Sequence, residues 1–218
     1  MTTQTALAPQ LEAQMHRTAE MLPKEIVDLI LQKIVELKDS SIADGSLQVG
    51  AKAPDFELPN PTGQRIKLST LLADGPVVLS FYRGEWCPYC NLEIRALQQM
   101  LPEFQQYGAQ VIAISPEQPD NTLTMQEKHD LRFPVLSDAG NAVARSYGLT
   151  FALTPDLHPI YKDFGIDLPT RNGDESYELP IPATYVVDRA GTIRYAYVNA
   201  DYTQRAEPAE VLAAVRQL

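Results

Sequence analysis

The chain has 218 residues, 44% of them apolar, enough for one packed domain of ordinary size plus an appendage. Lys and Arg number 18 against 28 Asp and Glu, a formal net charge of −10, which disfavours nucleic acid and anionic membranes because both reward basic patches. No apolar run approaches the length of a membrane-spanning helix. The opening stretch Met1–Pro9 has no charged segment followed by an apolar one, so no secretory signal is expected and the location is read as cytoplasmic.

Residues 9–38 predict helix. Leu11, Met15, Met21 and Leu22 share one side of a first segment, and Pro23 fits the first turn of a second. That second helix carries Ile26, Val27, Ile30, Leu31, Ile34, Val35 and Leu37, a broad apolar stripe at helical spacing. Such a stripe has to be covered, either by the chain's own core or by a dimer partner. Residues 1–47 therefore read as an N-terminal helical arm, with residues 40–46 as a linker and residues 48–218 as the main domain.

From Val49 strands and helices alternate. Residues 56–58 and 66–68 flank Asn60-Pro61-Thr62-Gly63, a hairpin signal. Ser69 is placed to cap a short helix. Val77–Tyr82 predicts a buried strand, and residues 91–107 a helix stopped by Gly108. A strand at 110–115, a helix near 122–130, a short strand at 133–136 and a helix at 141–147 follow. Strands at 183–187 and 193–198 are joined by a turn, and Pro208 opens a last helix. The pattern describes an α/β fold with a mixed central sheet covered by helices on both faces. Residues 150–180 hold four prolines (Pro155, Pro159, Pro169, Pro180) and fit no element, so they predict a long loop, which either lines or lids a site or decorates the surface.

The only two cysteines stand three apart in Trp86-Cys87-Pro88-Tyr89-Cys90, where the 77–82 strand hands over to a helix. A C-x-x-C pair at a helix N-terminus closes readily into a small disulfide ring, and the helix dipole favours the thiolate. In a reducing compartment this points to redox chemistry. A structural zinc site would need further ligands, and His16, His129 and His158 show no ligand spacing. A static disulfide would close a loop too short to stabilise much. No glycine-rich nucleotide or flavin motif is present, so no cofactor is expected.

Four segments carry a family likeness: residues 49–58 (Val49 to Leu58), residues 81–90 (Phe81 to Cys90), residues 133–138 (Phe133 to Asp138) and residues 182–188 (Pro182 to Asp188). Together, and in that order, they resemble the alkyl hydroperoxide reductase/thiol-specific antioxidant branch of the thioredoxin-fold superfamily, the peroxiredoxins. The resemblance implies a thioredoxin-like fold and a thiol oxidoreductase. Two registers overlap at the motif. In the peroxiredoxin register Cys90 is the attacking sulfur and Glu93 matches an acidic residue three beyond it. In the register of thioredoxins and glutaredoxins Cys87 attacks, Cys90 resolves, Pro88-Tyr89 is the glutaredoxin dipeptide, and Pro182 falls where a cis-proline faces the disulfide. The peroxiredoxin proline is replaced by Arg83, its threonine by Cys87, and its strand-start arginine by Pro182. Phe81 stands where thioredoxins keep a buried acid.

From the residues themselves, Cys87 is expected to be the more exposed and more acidic thiol, with Arg83 four positions before it favouring the thiolate. Trp86 offers an apolar wall, and Glu85 reads as a surface carboxylate. The expected activity is reduction of hydroperoxides through a Cys87/Cys90 dithiol–disulfide cycle. A protein disulfide reductase and a non-catalytic redox sensor remain open alternatives. The implied partners are a hydroperoxide or disulfide substrate and a cellular dithiol reductant, thioredoxin- or glutathione-like.

Overall fold

The computed structural model describes residues 6–218. The reading of Met1–Pro9 as free of a signal falls largely outside them. Two helices come first, α1 (Leu7–Met21) and α2 (Lys24–Asp39), and a 3-10 turn at Ile42–Gly45 occupies the expected linker. A small hairpin follows, β1 (Glu57–Pro59) with β2 (Arg65–Lys67), leading into α3 (Leu68–Asp74). Lys67, not Ser69, is the N-cap of α3, and the Ser69 N–H is taken by Asp55 Oδ1 at 2.9 Å.

The body alternates: β3 (Val77–Phe81), α4 (Pro88–Gln99), α5 (Leu101–Gln106), β4 (Gln110–Ser115), α6 (Pro119–Lys128), β5 (Val135–Ser137) and α7 (Ala142–Ser146). The helix expected at 91–107 is two helices, because Pro102 cannot continue the hydrogen bonding of the preceding turn. It also begins earlier, at Pro88, which places Cys87 at the N-cap. Residues 150–180 are not a loop. β6 (Thr150–Ala152) pairs antiparallel with β7 (Glu178–Pro180), and between them lie α8 (His158–Asp163) and α9 (Leu168–Asn172). Leu153, Leu157, Tyr161, Leu168 and Leu179 give this insert its own small core, against which Ile30 of α2 and Trp86 pack. The chain ends with β8 (Ala183–Val187), β9 (Ile193–Val198) and α10 (Pro208–Val215).

Five strands form one sheet in the order β5-β4-β3-β8-β9, with β3 parallel to β4 and antiparallel to β8. β3 is therefore central, and all five of its side chains are buried. Alternation along it feeds two cores. Val78 faces the layer of α4, α5 and α10, while Val77, Leu79 and Phe81 face that of α3 and α7. This mixed, doubly covered sheet is the thioredoxin-like architecture expected.

The arm packs back on the body. Leu7 and Leu11 of α1 are buried in the α4 core, each contributing about 2 kcal/mol through apolar burial. The Glu207 carboxylate accepts from the Leu7 N–H (3.0 Å) and the Ala8 N–H (2.6 Å), satisfying the open N-terminus of α1. Met21, grouped with the buried side by its spacing, is 81% exposed. Along α2 only Ile34 is buried outright, while Leu31 and Val35 face solvent. No helix among the described residues is long and apolar enough to cross a membrane.

Candidate active site

Strand β3 ends at Phe81, and the next six residues form the loop that carries the first cysteine to the head of α4. Gly84 is needed there by close approach: a Cβ on it would sit 2.2 Å from the Trp86 indole nitrogen. Cys87 donates its N–H to the Gly84 carbonyl (3.1 Å) and accepts the Asn91 N–H (3.1 Å). Both cysteines are free thiols, and both are wholly buried. The expectation that Cys87 is the more exposed thiol is corrected: neither cysteine is exposed.

Each sulfur has its own guanidinium. Arg83 Nη2 donates to Cys87 Sγ at 3.4 Å, and Nη1 donates to the Tyr161 hydroxyl at 3.2 Å. Arg83 is 3% exposed, stacks on Tyr202 and lies 4.9 Å from the Trp86 ring. Arg205 Nη2 donates to Cys90 Sγ at 3.3 Å, and its Nε donates to Glu93 Oε2 at 2.6 Å. The remaining Glu93 oxygen accepts from Thr184 Oγ1 at 3.0 Å. Backbone carbonyls of Tyr202 and Gln204 hold Arg205 from the other side.

These surroundings split the two thiols. Burial alone would push Cys87 up, but a hydrogen bond from the Cys90 thiol and the charges of Arg83 and Arg205 outweigh it. Cys87 is held well below the ordinary thiol range. Burial pushes Cys90 well up, and the hydrogen bond to Cys87 and its negative charge push the same way. The surroundings thus favour the thiolate at Cys87 and the proton on Cys90. Burial also raises Glu93, against the pull of Arg205 and Thr184.

Of the residues singled out by sequence, Arg83, Trp86, Cys87, Pro88, Tyr89, Cys90 and Glu93 come together here. Pro88 stands at the first turn of α4, and Tyr89 lies edge-on to Tyr202 at 6.0 Å between ring centres. Pro182 precedes β8, but no peptide bond among the described residues is cis, so the expected cis-proline is corrected. The Ile181 N–H before it is bound to the Leu149 carbonyl at 2.6 Å and is not open to a docked chain. Glu85 is tied to Lys128 and to Arg171, whose guanidinium also meets the buried Glu117 at 3.3 Å. Glu117 in turn accepts the Glu85 N–H at 2.7 Å and pins the loop before the motif.

Sequence reasoning missed Arg205, Tyr202 and Glu117. Arg205 lies 115 positions beyond Cys90 with no local pattern around it. Tyr161 of the insert likewise has no local pattern around it in sequence.

A profile of the AhpC/TSA family matches residues 49–196. Peroxiredoxin Q of rice (Oryza sativa subsp. japonica), a chloroplastic protein, is 30% identical over 158 residues, which is 72% of this chain and 62% of the relative. The thiol-disulfide oxidoreductase ResA of Bacillus cereus is 29% identical over 104 residues, 47% of this chain and 59% of the relative. Among solved structures, peroxidoxin BcpB of Mycobacterium tuberculosis superposes with a TM-score of 0.63 at 26% identity, covering 79% of this chain and 98% of that one. The helical arm, Tyr202 and Arg205 all lie outside the matched stretch. With its strand–C-x-x-C–helix site set in this fold, the chain belongs to the AhpC/TSA family and is a peroxiredoxin-like thiol oxidoreductase.

Proposed function

We propose that the protein reduces hydroperoxides by a two-cysteine cycle in which Cys87 attacks and Cys90 resolves. One observation carries this reading: a separate buried guanidinium beside each sulfur, with Cys87 held acidic and Cys90 held protonated. The family proline, threonine and strand-start arginine are absent, and Arg83 and Arg205 supply the missing cations from other positions. Such donors stabilise the charge that develops on the departing oxygen.

The Cys87 thiolate attacks the terminal oxygen of the hydroperoxide. An S–O bond forms as the O–O bond breaks, and the sulfur gives up two electrons to become a sulfenic acid. The departing alkoxide, or hydroxide from hydrogen peroxide, leaves beside Arg83 and takes the Cys90 proton. The Cys90 thiolate then attacks the Cys87 sulfur and expels hydroxide, which a solvent proton turns to water. The Cys87–Cys90 disulfide is reopened by a cellular thiol reductant, one thioredoxin-like dithiol or two glutathione-like monothiols, that returns two electrons and two protons. The spacing holds the second thiol beside the first, which speeds closure. A cytoplasmic location belongs to the same proposal.

The disulfide-reductase reading is favoured less, because Pro182 is trans and the Ile181 N–H is occupied. Stopped-flow oxidation of the reduced protein, followed by the fluorescence of Trp86, the single tryptophan, separates the two. A second-order rate far above that of a free thiolate supports the peroxidase. A rate no better than free thiolate, with fast reaction toward a small disulfide, moves the function to dithiol–disulfide exchange.

A further inference from the structure

Neither sulfur presents any surface to solvent, so a substrate needs a way in and a place to wait. A cavity of about 220 Å³ lies between α2 and the insert. Ile30, Ile34 and Leu37 form its α2 wall, and Phe151, Leu153 and Leu157 form the insert wall. Its inner end is Arg83 with Tyr161 and Tyr202, the same Arg83 whose Nη2 touches the Cys87 sulfur. The Arg83 Nε–H is buried there without a partner. Lys33 of α2, which also lines the cavity, pairs with Asp156 of the insert at 2.9 Å and ties the two walls together.

This is an apolar chamber with one buried cationic donor at its inner end, adjoining the nucleophile. An occupant that satisfies both parts has a hydrocarbon body and a small polar head that accepts a hydrogen bond. At about 220 Å³ the space suits a short alkyl or a single aromatic skeleton. Hydrogen peroxide would use only the inner end.

We infer that this cavity is a binding site for the carbon skeleton of an organic hydroperoxide, and that α2 of the arm sets the preference for such a substrate over hydrogen peroxide. The inference rests on the peroxidase reading above. The arm thereby has a task at the site besides shielding the core: the apolar stripe of α2 faces substrate on one side through Ile34 and Leu37. The hydroperoxide group lies toward Arg83, whose unpartnered Nε–H meets an oxygen, and entry of the terminal oxygen to Cys87 follows a shift of the Arg83 side chain.

The test compares second-order rate constants of the reduced full-length protein for cumene hydroperoxide and for hydrogen peroxide, read as thiol loss after acid quench. Leu37→Trp fills the space from a half-buried position, and Ile30→Trp fills it from about two turns earlier on α2. In either variant the ratio of the cumene hydroperoxide constant to the hydrogen peroxide constant falls about tenfold, the scale expected for lost apolar fit. In the unaltered protein, cumyl alcohol, which has the same skeleton and no O–O bond, slows oxidation by cumene hydroperoxide. A ratio within about twofold of the unaltered protein in both variants, or no effect of cumyl alcohol, overturns the inference while leaving the peroxidase reading in place. If the unaltered protein oxidises no faster than a free thiolate with either peroxide, the reading itself fails and the inference falls with it.

Discussion

The guanidinium carbon of Arg83 lies 3.6 Å from the centre of the Tyr202 ring, while the same group donates to Cys87 and to the Tyr161 hydroxyl. One flat cation thus joins the C-terminal segment, the insert and the nucleophile. Desolvated cation–π contacts of this kind contribute on the order of 2 kcal/mol, and the planar fork is what lets Arg83 make all three contacts at once. The Arg83 charge stays on despite burial, because Tyr161, Cys87 and Tyr202 beside it favour the charged form.

Arg83→Met removes that charge and keeps much of the bulk. The Cys87 thiol then rises, so less of it is ionised at pH 7 and peroxide oxidation slows by about 100- to 1000-fold. The slow rate climbs again as pH rises through the new titration, whereas the unaltered protein is already on its plateau. Ultraviolet titration of the thiolate beside stopped-flow rates checks both halves. Arg83→Lys restores little, since an ammonium neither stacks nor forks. An unmoved titration in Arg83→Met would show that the guanidinium does not activate the sulfur.

Cys90→Ser leaves Cys87 to react once and stop. The product is a persistent sulfenic acid at Cys87, read as a dimedone adduct by peptide mass spectrometry. Cys87→Ser is nearly inert to peroxide at neutral pH, because burial still holds the Cys90 thiol up. The reverse pattern, an adduct at Cys90 in Cys87→Ser, transfers the attacking role to Cys90.

Glu117 is buried and its carboxyl is pushed up to about 7, chiefly by desolvation, with Arg171 and the Glu85 N–H pulling the other way. A carboxyl whose folded value lies above its unfolded value of 4.5 binds its proton more tightly in the native state. Its stabilisation is complete below about pH 4.5 and is lost as pH rises to about 7, a change on the order of 3 kcal/mol. Urea midpoints measured across that window should fall with rising pH, and Glu117→Gln should flatten this component. An identical slope in the variant assigns the pH dependence to other groups.

Arg205 and Glu93 form an ion pair with side chains 1% and 2% exposed. Arg205→Met strands the carboxylate and costs about 3–5 kcal/mol of stability. Adding Glu93→Gln recovers a good part of that loss, since no buried charge is left unpaired. A double variant no more stable than Arg205→Met alone would place the cost in packing. Equilibrium urea unfolding of the unaltered protein and the two variants decides it.

Much of the fold was legible because its signals are local. The run Val77–Tyr82, the helix after the motif and the paired strands at 183–187 and 193–198 each declare themselves within a few residues. The C-x-x-C pair needed no alignment, being the chain's whole stock of cysteine. What stayed hidden depends on distance. The insert looked like a loop because its two strands are three residues each and lie 28 positions apart by register, Thr150 opposite Pro180 closing over Ala152 opposite Glu178. Arg205 is an ordinary arginine until folding sets it against Cys90. The stripe on α2 announced that something covers it, but a periodicity does not say what. The family's usual cation position was vacant in sequence; Arg83 could be read as a cation for Cys87 from its place four residues before it, whereas Arg205 emerged only once the chain was folded around the sulfurs.

Cys87 and Cys90 are sealed in the resting molecule, and that makes the protein quiet toward chemistry it is not meant to do. Alkylating electrophiles, soft metal ions and bulky oxidants reach an acidic sulfur on collision when it lies at a surface. Here they must wait for an opening. With rising peroxide the oxidation rate should therefore level off at the frequency of that opening, and iodoacetamide should label the reduced protein far more slowly than thiol acidity alone would dictate. A strong nucleophile kept behind a door carries its discrimination in the hinge as much as in the sulfur.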